Sequence, residues 1–302
     1  MIKIAAMDVW FEGEMGGLRG TIELATDRGS SGSALVLIHG SGPGTRGDAE
    51  ELVLRLSAAG VASLRYDKPG CGESEGDWRL QNFEDRAHEA LAALDALTKA
   101  VPDVRCAGLA GGSQGGWIVL RAAALSKRVR FAICYSAAGV SPGEQETYRL
   151  AHQLPEEGHS RSETEEALRL LRERLVRNRA GVPVDEIHER ERRFHTEGWF
   201  PLLGGADREE LRFDLAIYDY DPWPSLVGAR CPVLAVWGES DVIVPVEQSV
   251  KVFREAARVA NRGDDDLLVV PQVGHGLRTA QGRIAPAVIE KTVSWLREVC
   301  GK

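Results

Sequence analysis

The segment GLAGGSQGGW, residues 108–117, contains the pattern G-x-S-x-G around Ser113. It follows an apolar run typical of a buried strand and precedes a run with helical periodicity. A sharp turn between a strand and a helix holds its central residue at strained backbone angles, and small neighbours leave room for it. Such a turn would present the Ser113 hydroxyl as a nucleophile. The alternative is a glycine-rich turn whose serine only caps the helix.

A serine hydroxyl is a weak nucleophile until a base takes its proton, and imidazole is the usual base. The chain has seven histidines, of which only His275 follows the late apolar runs, between Gly274 and Gly276. His39 precedes the serine, and the other five fall on helical segments or within residues 141–223. A nucleophile on a strand-to-helix turn is followed along the chain first by an acid and then by a histidine. This order predicts His275 as the base.

The acid that orients such a histidine should follow a strand between the serine and the histidine. The run PVLAVWGESDVIVP, residues 232–245, supplies two carboxylates there, Glu239 and Asp241. Glu239 lies closer to the end of the expected strand, but its longer side chain is the less usual choice. We therefore favour Asp241 over Glu239.

Two N–H groups should stabilise the oxyanion that a serine attack produces. The turn itself offers the backbone N–H of Gln114. The glycine-rich sequence HGSG, residues 39–42, follows another apolar run and offers the N–H of Ser41. A glycine-rich loop can also bind phosphate, but the phosphate-loop pattern G-x-x-x-x-G-K-[ST] does not occur here. The spacing favours an oxyanion hole over a nucleotide site.

The elements that would position these residues alternate between strands and helices. Short apolar runs typical of strands buried on both faces occur at residues 34–38, 61–64, 104–109, 131–135, 233–237 and 267–270. Segments with helical periodicity occur at residues 48–59, 83–100, 114–125, 247–260 and 284–299. This alternation predicts an α/β fold with a doubly wound, mostly parallel sheet. Chemistry in such sheets collects at the carboxyl ends of the strands.

The alternation is interrupted at residues 141–223, which we call the cap segment. Ser162 and Glu165 have the spacing of a capping box, and a second helix is expected over residues 184–194, after Pro183. We predict a core domain of residues 1–140 and 224–302, with the cap segment as a helical insertion after the sixth strand. Five aromatic residues near the end of the cap segment would either line an apolar acyl pocket or anchor the segment to the sheet: Trp199, Phe200, Tyr218, Tyr220 and Trp223.

Composition narrows the class of partners and the compartment. The formal net charge is −8, which gives no electrostatic reason to bind nucleic acid or an anionic membrane. No run approaches the roughly 18 apolar residues of a membrane span. The five cysteines show no zinc-ligand spacing, and Cys106 in its apolar run reads as a small buried hydrophobe. These features predict a cytoplasmic protein without a metal site, acting on a small molecule.

The chain resembles the α/β-hydrolase superfamily, from about residue 15 to the end apart from the cap segment. Besides the three side chains above, LRYDKPGCGES, residues 64–74, is similar to a strand-and-turn segment of that family. The sequence GESDVIVP resembles the family's acid loop, which supports Asp241. HGSGP and GGSQGG look most like the esterases and the dienelactone-hydrolase-like or acyl-peptidase-like branches.

The resemblance implies acyl transfer to water without a metal or organic cofactor. The serine nucleophile argues against relatives that use an aspartate, so a carboxylesterase is the expected activity. A thioesterase, an amidase or peptidase, and an acyltransferase or perhydrolase would use the same residues and stay open. A non-catalytic binding module is disfavoured because such modules generally lose a member of the triad, and this chain keeps all three.

Overall fold

The computed structural model describes residues 5–25, 32–263 and 265–301. Within these residues one sheet has the strand order β1-β2-β4-β3-β5-β6-β7-β8. Its strands are β1 (Ala6–Gly13), β2 (Gly16–Glu23), β3 (Ser33–Ile38), β4 (Ala62–Tyr66), β5 (Cys106–Gly112), β6 (Ala132–Tyr135), β7 (Val233–Gly238) and β8 (Asp266–Val270). β1 with β2 and β2 with β4 pair antiparallel, and the remaining neighbours, from β4 across the sheet to β8, pair parallel. The predicted α/β fold with a mostly parallel sheet is confirmed.

Helices cover both faces of the sheet. The helices that follow strands of the core are α1 (Glu50–Ala58), α2 (Phe83–Ala100), α3 (Gln114–Leu125), α10 (Val246–Val259) and α11 (Pro286–Cys300). Side chains of α2, α3 and α10 share one hydrophobic cluster, and those of α1 and α11 share the other. Alternate residues of β3 enter the two clusters, Val36 the first and Leu37 the second, as expected for a strand buried on both faces.

The six predicted apolar runs correspond to β3 through β8, but β1 and β2 were not predicted. Most side chains of β1 are exposed or only partly buried, and β2 begins with two glycines. Neither strand therefore shows the continuous apolar run of a strand buried on both faces. They form an antiparallel ribbon at the edge of the sheet, where such a run is not required.

The order of the strands determines where chemistry can collect. The chain passes from β3 to β4 on one side and then from β5 to β6 on the other, so the order reverses between β3 and β5. Ile38 at the end of β3 is paired with Gly111 near the end of β5. The loops that follow these two strands therefore start side by side at the carboxyl edge, the usual position of a binding crevice in this type of sheet.

The cap segment lies between β6 and β7 and is helical. It contains α4 (Pro142–Glu156), α5 (Arg161–Arg179), α6 (Val184–Glu191), α7 (Phe200–Leu203) and α8 (Arg208–Ile217), and α9 (Trp223–Gly228) begins at its last residue. A hydrophobic cluster of its own joins α4, α5, α6 and α8. The expected helix after Pro183 is confirmed as α6. The capping box, however, is formed two residues earlier than predicted, by Ser160 and Glu163.

Two of the five cysteines are paired, contrary to expectation. Cys106 at the start of β5 forms a disulfide with Cys300 at the end of α11, and their Cα atoms are 5.7 Å apart. The final helix packs back against the sheet, which brings together residues separated by 194 positions. Nothing in the spacing of the cysteines indicates this pairing. Cys106 is buried, as expected, but the interpretation of it as simply a small hydrophobe is wrong, because its sulfur is bonded to that of Cys300.

Among the described residues, no helix combines the length and the apolar character that crossing a bilayer requires.

Candidate active site

Ser113 lies on a strained turn between β5 and α3. Its backbone angles are φ 52° and ψ −123°, a conformation that L-residues rarely adopt. A Cβ at Gly115 would lie 2.6 Å from the carbonyl oxygen of Ile38, so the start of α3 can approach β3 only because this residue is glycine. The Ser113 N–H donates to the carbonyl of Tyr135 at 2.8 Å. Neighbouring strands thus hold the turn in place.

His275 and Asp241 meet although they follow different strands. The loop after β7 places Asp241, and the loop after β8 places His275. The Nδ1–H of His275 donates to Oδ2 of Asp241 at 2.8 Å. Oδ1 of Asp241 accepts from the N–H groups of Ile243 at 2.8 Å and Val244 at 3.0 Å. Because the carboxylate accepts on both oxygens, the proton of this pair is assigned to Nδ1, and Nε2 is left as an acceptor.

The rival acid, Glu239, lies elsewhere. Its side chain is exposed, and its carboxylate accepts from the N–H of Gln272 at 3.3 Å. Asp241, in contrast, is buried. Of the two carboxylates that the sequence offers, the structure therefore brings Asp241 to the imidazole.

Two cavities meet at Ser113, Ser41 and His275, which line both. The first, which we call the apolar cavity, has a volume of about 380 Å³ and is lined by α1, the loop after β8 and the start of α11, with Leu52, Leu277, Ile284 and Val288. The second, which we call the polar cavity, has a volume of about 390 Å³ and lies beneath the cap segment. The strained serine and the imidazole thus lie at the junction of two spaces.

The loop after β3 is held from behind by a buried lysine. Lys68 is 1 % exposed and donates to the carbonyl oxygens of Gly40 at 2.7 Å and Gly42 at 2.6 Å. Its ammonium lies 5.0 Å from the ring centre of Trp78, and burial lowers the pKa of this lysine. The carbonyl of Gly40 and the N–H of Ser41 belong to one planar peptide group and point in opposite directions. Lys68 therefore directs the Ser41 N–H away from itself.

A buried arginine connects the same loop to α3. Arg86 of α2 is 2 % exposed and donates to the side-chain oxygen of Gln114 at 2.6 Å and to the carbonyl of His39 at 2.9 Å. Gln114 is the first residue of α3, so its N–H is one of the amides that have no acceptor within the helix. One guanidinium thus fixes the two segments from which the predicted oxyanion donors come.

Sequence reasoning missed Lys68 and Arg86. A lysine in the sequence YDKPG and an arginine within a helix of mixed charge both read as solvated side chains, and no pattern marks them otherwise. Only the folded chain shows that their donors meet backbone carbonyls.

His39 is also part of this buried layer. Its Nε2–H donates to the carbonyl of Tyr66 at 2.6 Å, and burial lowers the pKa of His39 to about 4. The imidazole is consequently neutral at pH 7 and serves to hold the loop.

The five aromatic residues of the cap segment are placed differently from one another. Trp199 and Phe200 belong to the cap's own core and are 0 % and 1 % exposed. Tyr220 packs edge-on against Phe83 of α2, with ring centres 4.8 Å apart, and so anchors the segment to the core domain. Trp223 is 37 % exposed and lines a separate surface cavity.

Of these five, only Tyr218 lines a cavity that contains Ser113. The acyl-pocket interpretation of Trp199 and Phe200 is therefore corrected, because both side chains are needed to fill the interior of the cap segment. The anchoring interpretation fits Tyr220. The aliphatic surface beside the serine comes instead from α1 and α11 of the core domain.

A model of the alpha/beta hydrolase family matches residues 35–287. The chain belongs to this family. The match covers the strained serine turn, the loop after β3, Asp241 and His275, together with the whole cap segment. Membership agrees with the strand order and with the position of the helical insertion after β6.

Similar proteins include two curated bacterial relatives and an archaeal structure. A dihydrolipoyllysine-residue acetyltransferase component of an acetoin cleaving system from Pseudomonas putida is 27% identical over 278 residues, which is 89% of this chain but only 65% of that protein. A 2-hydroxy-6-oxononadienedioate/2-hydroxy-6-oxononatrienedioate hydrolase from Burkholderia vietnamiensis is 28% identical over 264 residues, 82% of this chain and 83% of that protein. An esterase structure from Pyrococcus furiosus has a TM-score of 0.66 at 14% identity, covering 99% of this chain and 92% of that one.

Proposed function

We propose that this family member is a serine hydrolase that cleaves carboxylic esters through an acyl-enzyme on Ser113. The observation that carries the proposal is the hydrogen bond between His275 Nδ1 and Asp241 Oδ2, together with Ser113 on a strained turn lining the same two cavities as His275. A hydroxyl, an oriented imidazole and a buried carboxylate are the groups that acyl transfer by a serine requires.

In the first half of the proposed reaction, Ser113 Oγ forms a bond to the carbonyl carbon of the ester, and His275 Nε2 takes the hydroxyl proton. The carbonyl oxygen becomes an oxyanion, which accepts from the N–H groups of Ser41 and Gln114. Asp241 holds the imidazole in the required tautomer and stabilises its charged form. When the carbonyl re-forms, the bond to the alcohol oxygen breaks and His275 gives its proton to the departing alcohol.

In the second half, water attacks the acyl group on Ser113 while His275 takes a proton from the water. Collapse of this intermediate breaks the bond to Ser113 Oγ, which regains its proton from His275, and the carboxylic acid leaves. The net reaction is ester plus water to acid plus alcohol. It uses no cofactor, and the substrate is a small acyl compound.

The molecule that accepts the acyl group from Ser113 distinguishes ester hydrolysis, in which it is water, from acyl transfer to another alcohol or thiol. The Pseudomonas putida relative carries the name of an acetyltransferase component, but this chain spans about two thirds of its length. We favour water as the acceptor because esterases and hydrolases are found among the similar proteins. Product analysis in the presence of competing alcohols and thiols measures the share of acyl groups that reach water.

A fluorophosphonate probe and a panel of p-nitrophenyl esters of graded acyl length test the proposal. We expect stoichiometric labelling of the wild-type protein and its loss in Ser113→Ala, with kcat lower by about three or more orders of magnitude. Ser126→Ala, which removes a hydroxyl just after the other end of α3, is the matched control and should keep both properties. Near-normal turnover by Ser113→Ala would overturn the assignment.

A further inference from the structure

The polar cavity is built largely by one face of α4 and by the end of α8. Gln145, Glu146, Arg149 and Gln153 line it from α4, and the intervals of three or four residues that separate positions 145 and 146 from 149, and 149 from 153, place them along one side of that helix. Asp214 lines it from α8, beside Tyr218. The cap segment thus presents a row of hydrogen-bonding groups to the space beside Ser113.

The charged side chains of this row differ in whether they have partners within the chain. Nε and one terminal nitrogen of Arg149 donate to the carboxylate of Glu146 at 2.9 and 2.6 Å, and its other terminal nitrogen donates to Gln153 at 3.0 Å. The carboxylate of Asp214, in contrast, makes no hydrogen bond or ion pair with any part of the chain that the structure describes. One acid of the polar cavity is paired, and the other is left for a partner from outside.

An unpaired carboxylate in such a position costs free energy of folding. Burial and the neighbouring charge of Glu146 raise the pKa of Asp214 to about 7, while Arg174 and Arg149 act in the opposite direction. Groups that are costly for stability and line a reactive cavity are typical of binding sites. A hydrogen-bond donor on a bound substrate would give the Asp214 carboxylate the partner that it lacks within the described chain.

The apolar cavity offers a contrast, because its charged residues already have partners. Arg65 is paired with Glu23, and Arg278 donates to Glu51 at 2.8 Å. Asp48 accepts from the N–H of Thr45 at 2.9 Å. What remains for a ligand there is the aliphatic surface of Leu52, Leu277 and the residues around them. The two spaces beside Ser113 therefore differ in chemistry.

We propose that the substrate is an ester with two unlike arms, an aliphatic arm in the apolar cavity and, in the polar cavity, an arm that donates hydrogen bonds to Asp214. This inference rests on the proposed function and adds the substrate class to it. The donor is a hydroxyl or a protonated amine. An arm that ends in a carboxylate or a phosphate is disfavoured, because it would face the two acids of the polar cavity, of which only Glu146 is neutralised.

Binding of non-hydrolysable ethers tests the inference without turnover. The hexyl ethers of dimethylaminoethanol, glycerol and glycolic acid share one aliphatic arm and end in an ammonium, hydroxyls and a carboxylate. We expect calorimetry to show that wild-type protein binds the ammonium and glycerol ethers at least about tenfold more tightly than the carboxylate ether. Whether the ammonium or the glycerol ether binds better identifies the donor.

The variant Asp214→Asn removes the charge and keeps the shape of the side chain. It should weaken binding of the ammonium ether by about tenfold or more, and circular dichroism should show an unchanged fold. Glu298→Gln, at an exposed position near the end of α11 and outside both cavities, is the control and should leave binding as it is. Equal affinity for all three ethers, or equal affinity of Asp214→Asn and wild type for the ammonium ether, would overturn the inference.

The result of the ether-binding experiment can be separated from the result of the test of the proposed function. If fluorophosphonate labelling and ester hydrolysis succeed while the ethers bind without preference, the enzyme is an esterase and the substrate class is wrong. If the preference is found but Ser113 is neither labelled nor required for turnover, the polar cavity is a binding site and the proposed reaction is wrong.

Discussion

Lys68 Nζ lies 2.7 Å from the carbonyl oxygen of Gly40, the peptide group that also contains the N–H of Ser41. In the described chain the lysine has no carboxylate among its hydrogen-bond partners. It donates instead to backbone carbonyls of the loop after β3. This contact links a buried side chain, too far inside the protein to meet substrate, to the direction of a proposed oxyanion donor.

Replacing Lys68 with methionine should therefore lower kcat with little change in KM. Removal of one oxyanion donor costs about 100- to 1000-fold in kcat, and misdirecting the Ser41 N–H should cost about 10- to 100-fold. Methionine has a similar length and leaves no buried charge unpaired at this position. Steady-state kinetics on a p-nitrophenyl ester measure both constants, and the thermal midpoint reports the fold. Lys251→Met, at an exposed position on α10, is the control. A kcat within twofold of wild type would refute a positioning role for Lys68.

Asp241 and Glu239, the two candidate acids, allow a matched comparison of two variants. Asp241→Asn keeps the shape of the acid but cannot stabilise the imidazolium, so kcat/KM should fall by about 1000- to 10000-fold. Glu239→Gln should change it by less than about twofold, because this exposed side chain accepts, within the described part of the chain, only from the N–H of Gln272. The pH dependence of kcat/KM, measured for all three proteins, shows whether the loss lies in the base. A larger loss in Glu239→Gln than in Asp241→Asn would exchange their roles.

The parts of the site that were predictable are those that leave a local pattern. Ser113 is marked by its own glycines and by the strand and helix on either side. His275 and Asp241 follow from the chain order and from the strands that precede them. Each of these signals depends on backbone geometry at the end of a strand, which constrains residue types within a few positions.

The parts that were not predictable depend on which surfaces meet after folding. Arg86 and Asp214 both lie in helices of mixed charge, where a charged residue normally faces solvent. Asp214 lines a cavity only because the cap segment folds over the serine turn, and Cys300 reaches Cys106 only because α11 returns to the sheet. The exposed strand β1 lacks the apolar run that identified the other strands. The periodicity of apolar residues indicates how deeply an element is buried, but it does not indicate which other element covers it.

Asp214 should also affect the pH dependence of stability. Its pKa is raised to about 7 in the native protein, whereas an aspartate in the unfolded chain titrates near 4. Between these values the native state binds one proton more than the unfolded state, so the stability from this group is complete below about pH 4 and is lost as pH rises to about 7. Glu146 and Arg149 of α4, Arg174 of α5 and Glu210 of α8 are the charged groups that act on it.

The variant Asp214→Asn lacks this titration, so its free energy of unfolding relative to wild type should increase as pH rises from about 5 to about 8. The increase should be on the order of 1 kcal/mol or more, since Asp214 is only partly buried and solvent screening reduces the full effect. Urea unfolding of both proteins at the two pH values measures it, and Glu210→Gln should show a much smaller change. A variant that is less stable than wild type at the higher pH would mean that the Asp214 carboxylate stabilises the fold, and the argument that its pairing is left to a ligand would no longer hold.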